Sequence, residues 1–198
     1  MKTIRIAVLL TAMLAMATAA HAETWTIDAS HSSVDFKVRH FFAKTAGGFA
    51  DFSGTIVFDA ENPDASSVEA TVVMASLNTN NEDRDNHLRS EDFFAVETYP
   101  TMEFKSTKVA KDGDDFVATG ELTLHGVTQT VDMNFEFLGA GPDAWGGVRA
   151  GFTATMDIDR KAFGISWNKT LDQGGTVLGE KVAVSIEIEA VQQQEESR

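Results

Sequence analysis

The chain has 198 residues, 43% of them hydrophobic and 23% charged, which is the composition of a folded domain and excludes a disordered or multi-span membrane chain. A formal net charge of −14 works against electrostatic binding of nucleic acid or anionic lipid. Cysteine is absent, so disulfides, thiolate metal sites, cysteine nucleophiles and a lipid-modified cysteine are excluded as well.

Residues 1–22 open on Lys2 and Arg5, run apolar from Ile6 to Ala20 and close on Ala20-His21-Ala22, the pattern of a secretory signal peptide. The apolar run falls short of the roughly 20 residues that span a bilayer. The reading predicts an exported, periplasmic or secreted protein cleaved after Ala22, with one domain over 23–191, a polar tail over 192–198 and no stable membrane insertion. Beyond the leader, apolar and polar residues alternate with period two over 34–40, 52–58, 68–74, 102–108, 116–124, 131–137, 148–160 and 182–190, with a short lead-in at 25–28. Turn signals separate these runs, among them Asn62-Pro63-Asp64, His125-Gly126 and the Gly-rich stretch at 139–143. Residues 82–91 break the rhythm and read as one short helix on a crossing connection, and 41–46 reads as a second helical turn.

About eight antiparallel strands with one apolar face form either a closed barrel or a two-sheet sandwich. Length decides between them: the run 148–160, at ~3.3 Å per residue, reaches about 40 Å, which suits the tilted strands of an up-and-down barrel. The expected fold is therefore all-β, an eight-stranded antiparallel barrel. The apolar phase then points Phe36, Val38, Phe52, Ile56, Met102 and Phe104 inward. Leu122, Phe135 and Phe152 share that phase, as do Phe58, Phe137 and the small residues Gly54, Ala118, Gly120, Ala150 and Ala154. Small inward residues either hold a channel open or merely fit beside the many Phe rings, and alternation leaves that choice open.

Two polar residues fall in the inward phase at strand ends, His40 and Arg160, where a ligand's head would sit at a barrel mouth. The helical segment adds Arg84, His87, Leu88 and Arg89, and the segments that follow the helix and the 148–160 run add Phe94 and Phe163, completing the candidate ligand-binding set. The competing reading pairs Arg84 and Arg89 with Asp83, Asp85, Glu91 or Asp92. No metal-binding histidine spacing occurs, and Asp83 and Asp85 fail the calcium-loop pattern at Leu88 and Phe94. No nucleophile motif or phosphate-binding glycine loop occurs either, so the sequence carries no enzyme signature and calls for no cofactor.

The stretches Asp28-Ala29-Ser30-His31-Ser32-Ser33-Val34-Asp35-Phe36, Asp83-Arg84-Asp85-Asn86-His87-Leu88-Arg89-Ser90-Glu91-Asp92-Phe93-Phe94, Gly120-Glu121-Leu122-Thr123-Leu124-His125-Gly126 and Asp159-Arg160-Lys161-Ala162-Phe163-Gly164 resemble, in order, the bacterial YceI family. The resemblance implies a periplasmic, lipocalin-like barrel that holds a long isoprenoid chain, polyprenyl or quinone-type, often as a homodimer. It implies binding and carriage without catalysis. Fatty acids or fatty amides are the alternative cargo, and an enzyme acting on such lipids is the weaker reading.

Overall fold

The computed structural model describes residues 22–172 and 175–193. The expected leader lies outside the described residues except for Ala22, as does most of the expected tail.

Eleven strand segments form one antiparallel sheet: β1 (Glu23–Ile27), β2 (Ser33–His40), β3 (Ala43–Phe49), β4 (Phe52–Phe58), β5 (Ser67–Val73), β6 (Leu77–Asn78), β7 (Thr101–Asp112), β8 (Asp115–Leu124), β9 (Val127–Pro142), β10 (Val148–Asp159) and β11 (Leu178–Gln192). Their pairing reduces eleven segments to eight barrel positions. β1 and β2 both lie on β11, β1 opposite residues 190–192 and β2 opposite 178–187. They are two halves of one strand, interrupted by the 3-10 turn at Ala29–His31. β3 pairs with β2 while β4 pairs with β1, and β6 pairs with β3 while β5 pairs with β4. A crease thus crosses three neighbouring strands. The remaining strands pair in chain order, β5–β7–β8–β9–β10–β11, and β11 meets β1 to close the barrel. Every neighbour in the barrel is a neighbour in sequence, apart from that closure.

The short helix α1 (Glu82–Arg89) fills the connection between β6 and β7, as the broken alternation predicts. Asn81 caps it, its side chain accepting from the Arg84 N–H at 2.9 Å, and acidic residues occupy its first turn. The helix is seated differently from the expected pairing of arginines with acids. Arg89 donates to the carbonyls of Ala75 and Leu77, and Arg84 donates to the Thr79 hydroxyl and carbonyl. The buried Asp85 accepts from the Thr79 N–H at 2.9 Å and from the Thr79 hydroxyl. These bonds satisfy backbone groups that the short β6 leaves without a strand partner.

The helical turn expected over 41–46 is instead the tip of the β2–β3 hairpin, where His40 faces Ala43 across a two-residue loop of Phe41 and Phe42. Alternation fails in Ala43–Phe49 because small residues, among them Gly47 and Gly48, replace the apolar beat; Gly47 is required there, since a Cβ would sit 2.6 Å from Thr79 Cγ2 and 2.7 Å from the Phe36 ring. The His125-Gly126 turn forms as expected, both residues left-handed at φ 52° and 72°.

Candidate functional site

The barrel is solid at one end and hollow at the other. At the solid end Phe58 on β4 meets the rings of Phe116, Phe135, Phe137 and Phe152 at centroid separations of 5.0 to 5.9 Å, mostly edge to face. Trp25, Ala118 and Ala150 pack into the same buried core. Phe58, Phe137, Ala118 and Ala150 are therefore plug, not lumen wall, a correction to their reading from alternation. The small residues make room for rings there. Beyond the plug lies a cavity of about 310 Å³, at the lower end of the ~300–1,000 Å³ of small-molecule sites.

Ile56, Phe135 and Phe152 line the cavity toward the plug. Phe36, Val38, Phe52, Met102, Phe104 and Leu122 form the wall, with Ala154 between the longer chains. Polar side chains gather at the opposite end: His40, Thr79, Arg84, His87 and Arg160 border the cavity there, beside Leu88 and Phe94 from the α1 connection. Strand ends place these groups, since His40 pairs with Leu178 at the start of β11 and Arg160 follows the last residue of β10.

Four expected site residues are not on the cavity. Arg89 is turned to the carbonyls of Ala75 and Leu77 instead. Gly120 lies under the Phe104 ring, where a Cβ would sit 2.6 Å from Phe104 Cζ and from the Lys105 carbonyl oxygen. Gly54 is covered in the same way by Ile27, whose Cδ1 would be 2.8 Å from a Cβ. Phe163 is buried in the 3-10 turn after β10, and its carbonyl accepts from His125 Nδ1 at 3.1 Å. Alternation assigns a face but not what overlies it, so it cannot separate a glycine under a ring from one facing a void.

Phe93 and Trp167 are wall residues on irregular segments that alternation misses, whereas His87 is a candidate of the helical segment. Phe93, His87 and Trp167 form an aromatic cluster on the cavity, with centroids 5.0 to 5.1 Å apart. The Phe93-Phe94 pair after the helix is the sequence signal for Phe93. His87 Nε2 lies 2.9 Å from Asp92 Oδ2, and His40 rests edge-on against Phe41. Among the described residues neither histidine bonds a hydroxyl.

Arg160 is 5% exposed. Its Nε donates to Gly179 O at 2.9 Å, and Nη1 donates to Ile165 O at 2.7 Å and Trp167 O at 2.9 Å. It thereby ties the 165–167 segment to the start of β11. Its Nη2 has no partner among the described residues. Burial pushes its pKa below the ordinary arginine value, against the raising effect of Glu180 and Asp159. A buried guanidinium of this kind holds a rim together and leaves the two N–H donors of Nη2 over.

At the solid end a second charged group surrounds Arg149, which pairs with Asp28 at 2.7 Å, with Asp143 at 3.4 Å and with Glu189. Hydrogen bonds from Ser30, then Arg149 and His31, hold the Asp28 carboxyl well below the usual carboxylate range. Asp28, His31 and Glu189 bring ligand-type atoms within 4.8 Å of one another, but the Arg149 guanidinium already lies against both carboxylates.

A family model described as the YceI-like domain matches residues 25–190. This chain belongs to that family. The protein YceI of Escherichia coli is 44% identical over 167 residues, covering 84% of each chain. Among solved structures, BcnA of Burkholderia cenocepacia superposes with a TM-score of 0.73 at 23% identity, over 82% of this chain and 98% of that one. A polyisoprenoid binding domain from Saccharophagus degradans superposes at 0.61 with 16% identity, over 85% of this chain and 98% of that one. At those identities the two structures share the fold with this YceI-like chain. The barrel expected from alternation and strand length is thus the barrel of the family.

Proposed function

We propose that this YceI-like protein is a periplasmic carrier that holds one long hydrocarbon chain, an isoprenoid of the polyprenyl or quinone type, in the hollow half of its barrel. The observation that carries the proposal is the division of the lumen: a wall dominated by apolar side chains from the Phe135–Phe152 end onward, with the imidazole and guanidinium groups of His40, His87, Arg84 and Arg160 gathered at the other end. That polarity matches a ligand with an oily tail and one polar head. Burying ten methylene equivalents contributes about 8 kcal/mol at ~0.8 each, before ordering costs. The Saccharophagus neighbour, described as polyisoprenoid-binding, supports the same class of cargo. Export follows from the leader over 1–22, and cleavage after Ala22 belongs to this proposal. The head is placed against His40 and the spare Nη2 of Arg160, with Phe36, Val38, Phe52, Met102 and Phe104 along the tail.

Solvent extraction of protein purified from its exporting host, followed by mass spectrometry, tests the proposal. The expected result is an isoprenoid lipid near one equivalent per barrel. A preparation that yields no lipid and also fails to take up added polyprenyl lipid contradicts it. Recovery of a fatty acid or fatty amide instead keeps the carrier and replaces the isoprenoid.

A further inference from the structure

The β2–β3 hairpin ends in Phe41 and Phe42, with Phe42 fully exposed and Phe41 41% exposed. Two-residue hairpin loops favour Asn-Gly or Gly-X because their backbone requires left-handed conformations. Here Phe41 takes that conformation, φ 51°, so a bulky ring sits where folding favours glycine. Nothing in the fold is gained by Phe42, whose side chain touches solvent on all sides. Backbone strain combined with an exposed aromatic points to a use outside the fold.

Charge at the same place departs from the rest of the chain. The protein carries a formal −14, yet residues 36–50 contain Lys37, Arg39 and Lys44 and no acidic residue. Arg39 and Lys44 face each other directly across the hairpin, with Lys37 two residues along on the same outward face. Like charges in that position are destabilising. None of the three pairs with a carboxylate among the described residues; Arg39 instead holds the carbonyls of Phe41 and Thr176 at 3.0 and 3.2 Å. At the opposite end of the barrel, the other exposed aromatic tip, Trp145 between β9 and β10, stands over Arg149, which is paired with acids.

We propose that the Phe41–Phe42 tip docks the barrel onto an anionic phospholipid bilayer, with the two rings in the headgroup–acyl boundary, the three cations against lipid phosphates, and the cavity mouth facing the membrane. The proposal rests on the carrier reading for its purpose, since His40, next to the tip, borders the cavity and an apolar cargo is exchanged with a lipid phase. A second copy of the chain is a poorer occupant. A stable protein interface buries about 800 Å² per partner, far beyond what a two-residue tip supplies, whereas one or two rings flanked by cations suffice at a lipid surface. The net negative charge opposes long-range attraction but is screened beyond ~8 Å at physiological ionic strength, leaving the local hairpin to act.

Flotation of the full mature protein with phosphatidylglycerol-containing vesicles, set against purely phosphatidylcholine vesicles, tests the docking. The parent is expected to float with the anionic vesicles. Phe41→Ser with Phe42→Ser is expected to weaken partitioning roughly tenfold or more, and Lys37→Gln with Lys44→Gln about fivefold per charge removed. Trp145→Ser is expected to float as the parent does. Circular dichroism confirms folding of each variant, and light scattering reads their oligomeric state. Binding that survives both hairpin variants, binding lost with Trp145→Ser, or a hairpin-dependent dimer that ignores vesicles overturns the proposal. Lipid extraction of the same preparations reads the lumen separately: a loaded barrel that ignores anionic vesicles removes the docking and leaves the carrier, while an empty barrel that floats through its hairpin does the reverse.

Discussion

Two small residues that share a phase in the sequence have opposite surroundings in the barrel, and this separates their mutational effects. Ala154 faces the cavity between Phe135 and Ile186, so Ala154→Leu adds bulk to open space. It is expected to keep the urea midpoint of the parent and to lower lipid content on extraction. Gly120→Leu forces a Cβ against Phe104 and the Lys105 carbonyl, and is expected to cost about 1–3 kcal/mol of stability as overpacking does. Equal effects of the two substitutions on stability contradict the placing of Ala154 on the cavity and of Gly120 beneath the Phe104 ring. Asp28 gives a pH signature at the same scale. Its bonds from Ser30, Arg149 and His31 depress the native pKa below the ordinary 3.8, so the unfolded chain binds that proton at higher pH than the fold does. The stability it lends is complete above about pH 4 and falls as pH drops toward the depressed native value. Asp28→Asn is expected to flatten the acid limb of stability below about pH 4 in urea titrations; an unchanged limb removes Asp28 as a contributor. Neither result could be read from sequence, because Gly120 and Ala154 look alike to alternation, and the bonds of Asp28 depend on the 3-10 turn that holds Ser30 and His31 and on Arg149 from a strand far along the chain.

Elements were legible where a period existed. Long strands such as β8 and β10 alternate apolar and polar residues and were placed to within a few residues. The crease between β1 and β2, β3 and β4, and β5 and β6 was not, because a kinked strand loses its phase at the break. β3 was missed for a related reason, its glycines and alanines carrying no hydrophobic signal. The helix α1 was visible, but its mode of attachment was not: arginines beside acidic neighbours suggest ion pairs, whereas Arg84, Asp85 and Arg89 serve backbone and hydroxyl groups of the adjoining turn and β6. Asp85→Ala leaves the buried Thr79 N–H without its acceptor and is expected to cost about 1–3 kcal/mol. Hydrogen exchange over α1 reads the local effect: amides of Glu82–Arg89 should exchange faster while those of β8 and β9 keep their protection once the global change is subtracted. A uniform change across the barrel, with no excess over α1, contradicts the seat.

For the molecule as a whole, a meander in which sequence neighbours are sheet neighbours needs only one long-range closure, β11 onto β1. That simplicity made the barrel readable from strand number and length. What the sequence left open was whether the lumen was filled or hollow, and the fold divides the answer: Phe58 and its ring of partners fill one half, and the other half is the cavity. Packed rings close one end, so under the proposed carrier function a chain-like guest would pass through the end that carries His40, Arg84 and the Phe41–Phe42 hairpin. A crystal structure of protein purified without any delipidation step tests this division directly. The account predicts one continuous elongated feature running from Phe135 and Phe152 to the rim at His40 and Arg160. Side chains collapsed across that space, with the barrel packed solid from end to end, would contradict it.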